Sequence, residues 1–105
     1  MLKTKDRPVE RTLDIHGAFV RRTDLSRASL RGANLTRADA TNAILRDVDL
    51  DGAVLRGTIL RGADLTGAKN LTVKQLSEAV IDEHTILPTY IDRAKLQALV
   101  QNQEK

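Results

Sequence analysis

The chain has 105 residues, a formal charge of +3, no cysteine and only two aromatic residues, Phe19 and Tyr90. Such a length suggests one domain, and the cysteine count excludes disulfides and thiolate metal sites. No apolar run approaches the ~18 residues of a membrane span, and the charged opening MLKTKDRPVERTLD has no signal-peptide core, so a cytoplasmic location without membrane contact is the expectation.

Residues 1–12 read as a charged, partly disordered segment. From residue 13 to residue 67 the chain repeats every five residues. One phase holds Ile15, Val20, Leu25, Leu30, Leu35, Ala40, Leu45, Leu50, Leu55, Leu60 and Leu65, the predicted structural core. Two residues before each lies a small one, as in Ala28, Ala33, Ala38 and Ala43. The intervening phase carries Asp14, Asp24, Asn34, Asp39, Asp49 and Asp64, and all six glycines (17, 32, 52, 57, 62 and 67) fall in a single phase.

A five-residue step turns an α-helix by ~140°, which scatters the leucines around the cylinder. In a flat strand the same odd step alternates faces. A chain that turns a corner every five residues buries the whole set. Each side points one small and one large residue inward, glycine permits the corner, and Asp or Asn beside it bonds nearby backbone. Successive turns then stack through backbone hydrogen bonds. Ala40 is the one small residue in the large phase and leaves the core locally underfilled.

The units ASLRG, ANLTR, AVLRG and ADLTG resemble the pentapeptide-repeat family, whose loose motif is A(D/N)LXX. Eleven tandem units cover residues 13–67. The resemblance implies an all-β solenoid: a right-handed quadrilateral β-helix with four units per coil, hence just under three coils, ending in a C-terminal α-helical cap. It implies fold more firmly than function. Members that mimic an acidic DNA duplex and bind topoisomerases are acidic; this coil carries eight Arg against seven Asp and is short, which disfavours that reading.

With four units per coil, residues 20 apart stack on one face. Arg31 then meets Asp51 and Arg27 meets Asp47, surface pairs worth ~0–1 kcal/mol each. Neighbouring acids of this kind, and the near-absence of aromatic stacking platforms, also make nucleic-acid binding unlikely as a role for the arginines. Phe19 and Ile59 share a face across Asp39. Arg21, Arg22 and Arg61 flank that column through Thr41. An exposed apolar group rimmed by arginine suits a protein partner; the alternative expectation is that residues 1–12 or the C-terminal helix folds over Phe19.

After Gly67 the phase is lost, and residues 68–88 read as a capping helix and loop. Thr72 followed by Gln75 forms a capping box, and Leu76, Ala79 and Val80 cover the open end of the coil. Residues 89–105 read as a second helix, roughly 89–101, with Thr89 as its N-cap, and a tail. Tyr90, Ile91, Ala94 and Ala98 lie on one side, Leu96, Leu99 and Val100 on the other. One side is thus left for a homodimer or partner contact through Tyr90, Ile91, Leu96, Leu99 or Val100.

No chemistry is visible. His16 and His84 are far apart in sequence, and Asp82-Glu83-His84 is not ligand spacing on a helix. The aspartates serve turns, no serine has a nucleophile's context, and no cofactor is implied. The expected function is that of a non-enzymatic interaction module or small scaffold.

Overall fold

A computed structural model describes residues 13–103, with side chains described through Val100; the expected partial disorder of residues 1–12, and their folding over Phe19, lie outside the described residues. The five-residue period becomes a stack of rectangular turns. Parallel bridges join Asp14 to Asn34, Phe19 to Asp39, Asp24 to Ile44 and Ser29 to Asp49, and the same register of twenty carries each column on to Val54, Ile59, Asp64 and Lys69. Four units therefore complete one turn. Each side contributes a single bridging residue, because the corner that follows bends the backbone away before a longer strand can form.

Two devices make the corners. The first is positive φ at the end of the unit: Gly17, Gly32, Gly52, Gly57, Gly62 and Gly67, but also Arg22, Arg27, Arg37, Asn42 and Asp47, all fall between 58° and 73°. The second is the side chain before the core residue. The carboxylate or amide oxygens of Asp14, Asp24, Asn34, Asp39, Asp49 and Asp64 each accept the backbone N–H two residues on, at 3.0–3.3 Å. The hydroxyls of Thr36, Thr41 and Thr66 add a second donor to Asn34, Asp39 and Asp64. The aspartate series is thus a turn device.

The corners also explain which positions are glycine. A Cβ on Gly62 would lie 2.1 Å from Asn42 Oδ1, one on Gly67 2.2 Å from Asp47 Oδ1, and one on Gly57 3.2 Å from Arg37 Cγ. At these three corners the longer side chain leans over the next coil, where glycine leaves the space. This lean corrects one expectation. Asp47 reaches forward over Gly67 and away from Arg27, and no ion pair joins Arg27 to Asp47 among the described residues. Arg31 does pair with Asp51, at 3.1 Å, and also with Asp49, at 3.3 Å.

Inside, Leu30, Leu35, Ala40, Leu45, Leu50, Leu55, Leu60 and Leu65 are buried, together with Ala33, Ala38, Ala43, Val48, Ala53 and Ala63. Ile15, Val20 and Leu25 are only partly buried, since the first coil has no coil beneath it among the described residues. A narrow cavity of about 20 Å³ follows the axis, lined by Ala40 with Val20, Leu25, Leu60, Leu65 and other core groups.

The repeat continues one unit past Gly67. Ala68 is fully buried and Lys69 pairs with Asp49. Asn70 then takes φ 61° and moves the next large apolar residue to Leu71, which is buried. Helix α1 (Val73–Ser77) opens on the anticipated capping box: Thr72 Oγ1 accepts from Gln75 N–H and Gln75 Oε1 accepts from Thr72 N–H. It replaces the next side, and the ladder resumes with Val80 beside Ile59 and Ile86 beside Asp64, registers of 21 and 22. Helix α2 (Arg93–Gln103) starts four residues later than Thr89. Asp92 supplies the N-terminal acceptor, taking the N–H of Ala94 at 2.9 Å and of Lys95 at 3.4 Å. Thr89 lies in the preceding turn, ahead of Ile91, whose N–H donates to the Pro88 carbonyl.

Candidate protein-interaction site

The four faces of the coil differ in what they project. One bears Asp14, Asn34 and Val54; another Asp24, Ile44, Asp64 and Ile86; a third Ser29, Asp49 and Lys69. The remaining face is the column Phe19, Asp39, Ile59 and Val80. Phe19 is 82% exposed, the highest figure for a large apolar group among the described residues, and Ile59 is half-buried. At ~4.8 Å per coil the two lie about 10 Å apart.

Asp39 separates them and is well satisfied. Its carboxylate accepts the Thr41 hydroxyl at 2.6 Å and the Thr41 N–H at 3.1 Å, and Arg21 Nε stands 3.8 Å away. The Thr41 hydroxyl and N–H hold this carboxyl below the usual aspartate range against the opposing effect of burial, with lesser help from Arg21 and Arg61. Arg21, Arg22 and Arg61 are all exposed on the corner that follows the column. Arg22 and Arg61 make no ion pair among the described residues.

Sequence reasoning missed the other edge of this face. The corner that precedes it carries Arg37 and Arg56, exposed and likewise without an ion pair among the described residues. The same count of twenty that placed Arg61 beside Phe19 places them there. By contrast Arg31 and Arg46 are engaged elsewhere, Arg46 with Asp64 at 3.1 Å. Five arginines thus frame one apolar column that contains a single carboxylate.

The second predicted surface is divided by the fold. Leu96 and Ile91 are buried inside this chain, 2% and 9% exposed. Leu99 and Val100 are half-buried, and Ala94 and Ala98, assigned to the side of Ile91, are exposed. The helix has rolled its Leu96 side inward because Ile91 fills its place from the turn before the helix. Tyr90 is 56% exposed, yet its hydroxyl donates to the Ala68 carbonyl and accepts the Leu71 N–H. Between α2 and residues 79–81 runs a groove of about 300 Å³ lined by Ala79, Val80, Ile81, Leu96, Gln97 and Val100. Val80 joins it to the Phe19 column.

His16 Nδ1 sits 2.7 Å from Asp14 Oδ1, a contact that, with the His16 N–H, holds the Asp14 carboxyl low. His84 lies against Glu83 at 3.6 Å. Among the described residues no three His, Cys, Asp or Glu side chains are placed to hold a metal ion, and no helix is long and apolar enough to cross a membrane.

No curated protein matches the chain. Among solved structures, it is similar to the pentapeptide repeat protein alr5209 from Nostoc Pcc 7120, at 26% identity over 81% of this chain and 82% of that one, with a TM-score of 0.35. It is also similar to the pentapeptide repeat protein Rfr23 from the cyanobacterium Cyanothece 51142, at 21% identity over 71% and 88%, with a TM-score of 0.28. The family model for pentapeptide repeats matches eight copies over residues 14–47 and 33–69, more than half of the sequence. The stacked five-residue sides and this match lead to one conclusion: the chain belongs to the pentapeptide-repeat family.

Proposed function

We propose that the chain is a non-enzymatic protein-interaction module. In this reading it is a right-handed quadrilateral β-helix of the eleven units over residues 13–67 and a twelfth that begins at Ala68, about three coils, closed at its C-terminal end by the helix and loop that follow up to residue 88. The rigid coil holds a docking face, and the observation that carries the reading is Phe19. A phenylalanine left 82% exposed on a face framed by Arg21, Arg22, Arg37, Arg56 and Arg61 does nothing for folding. Aromatic and arginine side chains are the groups that most often dominate binding energy at interfaces. Ile59 and Val80 extend the apolar strip toward the groove beside α2.

The test is site-specific crosslinking in the native host. A photoreactive phenylalanine analogue at position 19 should trap one discrete protein partner, and the same analogue at Lys69, exposed on another face at the far end of the coil, should not. Phe19→Ser should leave the unfolding free energy from urea melts within ~0.5 kcal/mol of the parent while losing the partner. Equal trapping from both positions, or trapping of nucleic acid alone, would remove this reading.

A further inference from the structure

The two ends of the coil are chemically different, and the difference is in the backbone. Wherever two coils stack, the bridging residue of the later coil uses both of its backbone groups. Asn34 N–H donates to Leu13 O while Asn34 O accepts from Ile15 N–H; Asp39, Ile44 and Asp49 repeat the pattern with Ala18 and Val20, Thr23 and Leu25, and Ala28 and Leu30. The corresponding groups of the first coil belong to Asp14, Phe19, Asp24 and Ser29. They point out along the axis, and among the described residues none of these four N–H and four C=O groups has a hydrogen bond. Inside that frame Ile15, Val20 and Leu25 are only partly buried, and Leu13 is 46% exposed. An open β edge around an apolar centre is a template for pairing with another chain.

The opposite end offers no such template. Gln75 Nε2 donates to the carbonyls of Leu50 and Ala53, the Thr85 hydroxyl to Leu60 O, the Tyr90 hydroxyl to Ala68 O and the Arg93 guanidinium to Thr85 O. Its carbonyls are taken by these side chains and by the backbone N–H groups of Val80 and Ile86, which bond Thr58 O and Ala63 O.

We propose that the N-terminal end of the coil is a homodimer interface, formed by two copies stacked head to head. This goes beyond the proposed partner face, which uses side chains on the flank of the coil. In sequence, residues 1–12 do not continue the five-residue pattern. Counting back twenty would set Val9 beside Ser29 and Thr4 beside Asp24, but it would also put Glu10 and Lys5 under Leu30 and Leu25, in the core. Burying those charges without partners is prohibitive. A second copy has no such conflict. Turned over by a two-fold axis normal to the coil, it presents the same frame with every side running antiparallel to its counterpart. The N–H and C=O groups then exchange as in an antiparallel ladder, and the two half-buried apolar rings meet. Among the described residues each copy has one such end, so the contact is isologous and stops at two.

Sedimentation equilibrium of the full chain across the micromolar range tests this. The dimer is expected, with amide exchange at Asp14, Phe19, Asp24 and Ser29 slowing as concentration rises. Ser29→Pro removes one N–H that has no partner among the described residues, and proline is tolerated at a free edge; it should weaken the dimer and leave the circular dichroism unchanged. Val20→Lys should abolish the dimer, and if that variant fails to fold, Ser29→Pro decides. A monomer at every concentration overturns the proposal. So does a dimer that both variants leave intact, which would place the contact elsewhere, such as at α2.

Discussion

Replacing Ala40 by valine should make the protein more stable. Ala40 is 4% exposed, stacks between Val20 and Leu60 in register, and lines the axial cavity of about 20 Å³. Relieving that void at ~24 cal/mol per Å³ gives about 0.5 kcal/mol. Burying the two added carbons at ~0.8 kcal/mol each gives about 1.6 kcal/mol as an upper figure, less ~0.5 kcal/mol for the fixed rotamer. The expected gain is therefore ~0.5–1 kcal/mol, or a rise in Tm of several degrees for a domain of this size. Urea unfolding followed by circular dichroism reads it as a higher midpoint at unchanged slope. Ala40→Phe is the control: it overfills the same space and should lose ~1–3 kcal/mol. If Ala40→Val is destabilising, the free volume is not beside Ala40 and the packing argument fails.

Other expectations follow from the corners and the closed end. Gly52→Ala and Gly62→Ala both place a Cβ at positive φ, at a cost of ~1–2 kcal/mol; Gly62→Ala should lose more, because it also displaces the Asn42 amide, and Asn42→Gly should recover that excess in a double-mutant cycle read by urea melts. Thr85→Val keeps shape but removes the buried hydroxyl that donates to Leu60 O at 2.8 Å and accepts the Asp82 N–H at 3.1 Å; the Leu60 carbonyl keeps the Ala63 N–H, but the Asp82 N–H is orphaned, so thermal unfolding should show a loss of ~1–3 kcal/mol, and an unchanged melt would mean that N–H is satisfied otherwise. For pH, Asp14, Asp24, Asp39, Asp49, Asp64 and Asp82 all have carboxyls held below their usual value. A depressed folded pKa stabilises above the unfolded value of ~3.9 and stops doing so as pH falls through the folded value. The urea midpoint should thus be flat from neutrality to about pH 5 and drop below about pH 4; a midpoint that rises on acidification would contradict the turn role.

Much of this was legible because the period of five is carried by side chains that act locally. An aspartate bonds the N–H two residues on whatever lies above it, and a leucine at every fifth position has only one direction that buries it. The parts that were not legible depend on neighbours from other turns. Asp47 and Arg27 are twenty residues apart and oppositely charged, yet the carboxylate goes where Gly67 leaves room. Leu96 faces the core because Ile91, still in the turn before α2, already occupies the other contact. The start of α2 was misplaced for a similar reason: Thr89 and Asp92 both have capping side chains, and only the docked position of Ile91 decides between them. Arg37 and Arg56 were within reach of the twenty-residue count and were missed because the count was applied to one corner of the Phe19 face only.

The twenty-residue turn also sets what insertions and deletions would do to this molecule. Removing a whole turn would shorten the rod by ~4.8 Å and leave every column aligned. Removing a single unit would rotate everything after it by a quarter turn. Phe19 and Val80, now on one line, would then face different directions, although each unit would still be well formed. The relative bearing of the arginine-framed face and the α2 groove is therefore encoded as a residue count, and a change of five residues is a change of direction.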